Sequence, residues 1–104
     1  MAIDPLIIQK IKTNNRFGHN VLDGEVEDTI TACLADLKVC GVKFPAPADP
    51  QDVMDPLILN AVKLYCKSAF TDDVGKSAEY RARYDALKSC LMMAEGYKEA
   101  SGDE

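Results

Sequence analysis

Apolar residues recur three and four positions apart in four stretches of this chain, the spacing that builds one buried face on a helix. Ile7, Ile8 and Ile11 share a side of a first helix that opens at Asp4-Pro5 and runs through about Thr13. Two to three turns are marginal alone, so this helix has to dock on something. Val26, Ile30, Cys33, Leu34, Leu37 and Cys40 stripe a second helix from an Asp23 cap to Gly41, with Glu25, Asp28 and Asp36 off the stripe. Glycine at its end supplies the left-handed stop that many helices use. A third helix follows Asp55-Pro56 and ends at Phe70. A fourth runs from a Ser77 cap to about Lys98 with Tyr80, Tyr84, Leu87, Leu91 and Ala94 inward.

Between these stretches the chain carries turn chemistry. Asn14 to Leu22 contains Asn14-Asn15, Gly18 and Asn20; Pro45, Pro47 and Pro50 stiffen Val42 to Met54; and Gly75 marks a turn over Thr71 to Lys76. Strand-like alternation is absent. The pattern predicts an all-α fold, a single four-helix domain over 1–104 with a short first helix and a flexible acidic tail at 99–104.

The third helix stands out because Leu57, Ile58, Leu59, Ala61, Val62, Leu64, Tyr65, Cys66, Ala69 and Phe70 cover most of its circumference, leaving Asn60, Lys63 and Lys67 as a narrow polar ridge. A helix this apolar is buried on more than one side. Either it is the central helix of its own domain, or part of it is subunit interface. With Ile58, Val62 and Tyr65 on the core side, Leu59, Cys66 and Phe70 become the interface candidates. Met92, on the fourth helix among Arg81, Asp85 and Lys88, joins them because methionine suits adaptable contact surfaces.

Length permits one core without a covalent staple, burying roughly 65% of the unfolded chain's surface. Cys33, Cys40, Cys66 and Cys90 form no C-x-x-C pair. Cys33 and Cys40 stand two helical turns apart, about 10.5 Å, beyond disulfide reach. All four are expected to be reduced core or interface residues, and no metal site or cofactor is expected. Net charge is −5. The first 22 residues sum to +2 through Lys10, Lys12 and Arg16, and the other 82 sum to −7. The acidic body argues against a phosphate-gripping DNA binder. Lys10, Lys12, Arg16 and Lys98 at the chain's ends are the docking candidates for a partner.

Catalytic chemistry has few carriers. His19 is the single histidine and lies in a loop, without a nucleophile placed beside it. Asp49, Asp52 and Asp55 lack the alternating oxygens and central glycine of a calcium loop, and Asp72-Asp73 before Gly75 serves a turn. The expectation is a non-enzyme. No stretch reaches the length of a membrane span or of a signal peptide's apolar run, so the chain is expected to stay in the cytoplasm that makes it.

Order adds to pattern in Asp55-Pro56-Leu57-Ile58, in Tyr65-Cys66-Lys67 ending at Phe70, and in Tyr84 followed by Leu87-Lys88 and Leu91. Upstream, Leu22-Asp23-Gly24-Glu25-Val26 leads to Asp36-Leu37 and Gly41-Val42. Over Leu22 to about Tyr97 the chain resembles the small head-tail connector family of tailed bacteriophages, the DNA-packaging or head-completion proteins. It departs from them at Thr71, where members often carry glycine, and in its proline-rich loop. The resemblance implies a homo-oligomeric ring in a phage or prophage virion, assembled in the host bacterial cytoplasm. Its partners would be the portal protein and a tail-side connector or stopper protein, with DNA passing through the ring without tight binding. The other reading, from residues alone, is a small cytoplasmic helical regulatory or protein-binding module.

Overall fold

The computed structural model describes residues 3–15, 23–45, 47, 54–94 and 96–97. Four helices, α1 (Pro5–Asn15), α2 (Asp23–Val39), α3 (Pro56–Phe70) and α4 (Val74–Met93), make an all-α domain with no strand among these residues. Arg16, His19, Asp49, Asp52, Lys98 and the tail 99–104 lie outside the described residues.

α3 is the hub, packing against α1, α2 and α4. Its start is built as the sequence suggests: the Asp55 carboxylate accepts from the N–H groups of Leu57 at 3.1 Å and Ile58 at 3.4 Å, with Pro56 at a position where no donor is needed. α2 buries Val26, Ile30, Cys33 and Leu37 along its stripe. It ends in a Schellman turn, in which the Val42 N–H reaches the Leu37 carbonyl at 3.0 Å and the Gly41 N–H reaches Lys38 at 3.0 Å. Val42 and Leu37 are both buried, giving the apolar contact that accompanies this motif.

Gly41 takes φ +92°, and a methyl group added there would meet nothing within 4 Å. Gly41→Ala therefore tests backbone handedness alone. It is expected to destabilise the fold by about 1–2 kcal/mol in urea denaturation; an unchanged midpoint would show that the turn relaxes at no cost.

The first helix is more integrated than its length suggested. Ile3, Ile7, Ile8 and Ile11 all belong to the core, and the Lys12 ammonium meets Asp23 at 2.7 Å. The core therefore spans α1 to α4. The docking that so short a helix requires is met inside its own domain, by Ile7, Ile8 and Ile11 on α1 and Ile3 just before it. Lys10 is exposed.

α4 also differs at both ends. It starts at Val74, capped by Asp73, whose carboxylate accepts from the Lys76 N–H at 3.0 Å; the Asp73 N–H in turn donates to Thr71 Oγ1 at 3.2 Å. Gly75 is thus inside the first turn. Ser77, expected as the cap, instead donates its hydroxyl to the Ser68 carbonyl at 2.7 Å, tying α4 to α3. At the other end the helix stops at Met93, and Gly96 (φ +88°) turns the chain back. There the Tyr97 hydroxyl donates to Asp55 at 2.9 Å and its carbonyl accepts from the Lys43 N–H at 2.6 Å. One short segment thus fastens the end of α4 to the start of α3 and to the strap after α2.

Candidate interaction surface

Of the four interface candidates, the structure separates one from the rest. Cys66 is fully buried in its own subunit, which corrects its assignment to an interface. The face of α3 turned to the core is Ile58, Ala61, Val62 and Cys66, so the inward direction lies a step around the helix from the expected Ile58, Val62 and Tyr65. Cys66 on α3 and Cys33 on α2 are both fully buried, while Tyr65 stays half-buried at the rim beneath the Arg81 guanidinium, 4.8 Å from its ring centre. Leu59 and Phe70 are half-buried against the core, and Met92 is exposed.

Inside this surface lies a polar node that joins α2 to α4. The Tyr84 ring is fully buried, edge-on to Tyr65 with centroids 5.1 Å apart. Its hydroxyl donates to Asp36 Oδ2 at 2.7 Å and accepts a weak contact from the Cys33 thiol at 3.9 Å. Lys88 donates to the same Asp36 oxygen at 3.0 Å and lies 5.3 Å from the Tyr84 ring centre. The hydrogen bond from Tyr84, then that from Lys88, holds the Asp36 carboxyl below its usual range. Burial, followed by the bond to Asp36, pushes the Tyr84 phenol up. These are the properties of a structural tie: tyrosine stays neutral as donor and aspartate stays charged as acceptor. Asp36 was expected off the apolar stripe, and its partners lie 48 and 52 residues along the chain.

Burial also pushes the Cys33 and Cys66 thiols up to about 12 each, whereas Cys40 is half-buried and Cys90 exposed. Thiolate is the reactive form. An aromatic disulfide reagent at neutral pH is therefore expected to label Cys90 first, Cys40 more slowly, and Cys33 and Cys66 only after denaturant is added. Rapid native labelling of all four would contradict this core.

What remains exposed is more informative than what is buried. Val39 is 86% exposed, Val74 84%, Met93 77%, Leu6 58%, Leu57 43%, Phe44 41% and Met92 39%. All but Val74 and Leu6 come from the end of α2, the strap after it, the start of α3 and the end of α4. Those are the segments that Tyr97 draws together through Asp55 and Lys43. One end of the bundle therefore carries a concentration of large apolar side chains in water, the signature of a contact surface. Of these, sequence reasoning singled out only Met92. The available signal was Val39, an apolar residue off the α2 stripe, and Phe44, beyond the helix stop.

Among the described residues, no group of three His, Cys, Asp or Glu side chains is placed to hold a metal ion, and no helix is long and apolar enough to cross a membrane. In comparisons with protein-family models, curated proteins and solved structures, nothing matches this chain.

Proposed function

We propose that this chain is a non-enzymatic structural adaptor of a tailed-phage or prophage virion, copies of which form a ring between the capsid portal and the tail. The observation that carries the reading is the apolar end of the bundle, where Val39, Phe44 and Leu57 stand exposed beside the last turn of α4. A small domain that leaves this much large apolar surface uncovered is built to be covered by another protein. The resemblance to small head-tail connectors supplies the kind of partner: a neighbouring subunit, the portal and a tail-side component.

Charge is compatible with this role. A net charge of −5 suits a channel wall past which a polyanion slides, because a like-charged wall does not hold the phosphates that a basic one would neutralise. The polar node supports it mechanically, since Asp36, Tyr84 and Lys88 fix α4 against α2 so that the surface is presented rigidly. The test is genetic and visual. Deleting the gene from its phage or prophage should yield capsids without attached tails, and supplying the chain in trans should restore complete particles. Normal virions from the deletion would overturn the proposal.

A further inference from the structure

α4 is twenty residues long yet buries only Tyr84 and Leu91. Opposite them, at 100° per residue, lie Gly75, Ala82, Ala86, Ser89 and Met93, all exposed and none charged, with Ala78 at one edge of this face and Glu79 at the other. A helix face that meets only water normally carries its charges there. Here the charges stand to either side: Glu79 and Arg83 on one flank, Arg81 and Asp85 on the other. The first pair already lies 3.6 Å apart within the helix, the Arg81 guanidinium lies over the Tyr65 ring at 4.8 Å, and Asp85 stands 3.9 Å from Lys88, so the contacts across the twofold would add to these or exchange with them.

We infer that this face docks on the same face of a second copy of the chain, α4 against α4 and antiparallel, about a twofold axis at Ala82. The charge pattern selects that occupant. In an antiparallel pair related by a twofold, each flank meets itself. Glu79 of one copy then comes within about half a helical turn of the level of Arg83 in the other, and Arg81 does the same with Asp85. Both flanks therefore place opposite signs together, twice each by symmetry, and small residues along the centre let the two helices approach closely.

Shape points the same way. A cleft of about 520 Å³ opens beside the start of α4, lined by Ala69, Thr71, Val74, Ala78 and Arg81 among others. It lies on the Arg81 flank. Met92 is on that same flank near the other end of the helix, about 15 Å beyond Ala82 along the axis. The twofold carries the Met92 of one copy to the level of this cleft in the other, so each subunit offers a flexible apolar knob and an open hole in matching places. The dimer shares Met92 and Met93 with the apolar end but is centred on Ala82, away from Val39 and Phe44, so substitutions at Ala82 and at Val39 with Phe44 distinguish it from the adaptor reading.

Light scattering after gel filtration tests it on the full chain. The wild type is expected at twice the 11.4 kDa chain mass at tens of micromolar, and Ala82→Glu at the single-chain mass with an unchanged helical spectrum, reflecting dimerisation weakened at least about a hundredfold. Glutamate is a good helix former, so the variant folds. Cross-linking gives the direction: Ala82→Cys in a Cys90→Ser background should form covalent dimers readily. Cys90 in the wild type should not, because antiparallel copies hold the two Cys90 residues roughly 24 Å apart along the axis. A wild-type monomer at these concentrations would overturn the inference. So would a dimer or larger assembly that Ala82→Glu leaves intact, or efficient Cys90 cross-linking, which marks a parallel pair.

Discussion

Tyr84→Ala is expected to remove a large share of the fold's stability. The ring it deletes is fully buried and packs edge-on against Tyr65. Truncating a buried aromatic costs about 3–5 kcal/mol, against a total stability of roughly 5–15 kcal/mol for a domain of this size. The same change takes from Asp36 the phenol that donates to it and from Lys88 the ring beneath it. Tyr84→Phe separates the two contributions: it keeps the packing and removes one hydroxyl, for an expected loss of about 1–3 kcal/mol. Urea denaturation followed by circular dichroism reads both. An alanine variant with a wild-type midpoint would mean that α4 is not held to α2 through this residue.

The node also carries a pH signature. Because the folded protein lowers the Asp36 pKa, the stability it contributes is present above the unfolded carboxylate value of about 4 and is lost as pH falls through the folded value. Tyr84→Phe removes the leading cause of that shift. The phenylalanine variant should therefore lose less stability than the wild type between pH 4 and the acid limit, even though it starts from a lower midpoint.

The largest functional effect is expected at the apolar end. Val39→Asp combined with Phe44→Asp should abolish attachment to the portal while leaving the helical signal and melting behaviour nearly unchanged, because neither side chain is part of the core. Each carboxylate would have to be desolvated in a contact that offers it no partner. Losses of at least about 2 kcal/mol per site, together roughly a thousandfold in affinity, are the scale of interface anchors. If the doubly substituted chain attaches as well as the wild type, this end of the bundle is not the contact.

Much of this architecture is written in local signals. Asp55-Pro56 caps α3, Gly41 stops α2 with a positive φ, and the α2 stripe from Val26 to Leu37 is the buried one. These features are decided within a few residues, by side chains that satisfy nearby amides or by a periodicity the helix enforces. The start of α4 was misread because two local signals compete. Glycine at position 75 suggested a turn, but Asp73 already closes the first helical turn, and glycine inside it costs less than that cap returns.

Other features depended on distance along the chain. Nothing near Asp36 announces that Tyr84 and Lys88 will arrive beside it, and nothing near Tyr97 announces Asp55 and Lys43. On α3, apolar residues cover so much of the circumference that the pattern left the inward direction open. Only the packing with α2 and α4 put Cys66 inside and Tyr65 at the rim. The exposed end is legible only in part, through Val39 off the α2 stripe and Phe44 beyond the helix stop. Val39 and Phe44 become a surface only once the helix stop and the Tyr97 anchor bring their segments against the ends of α3 and α4.

The adaptor reading is tested most directly by light scattering after gel filtration of the full chain mixed with its cognate portal. The account predicts a complex heavier than the portal by many copies of an 11.4 kDa chain, lost with Val39→Asp and Phe44→Asp together and retained with Asp28→Ala on the exposed surface of α2. A portal that elutes at its own mass, with the chain entirely in a separate peak, would contradict it.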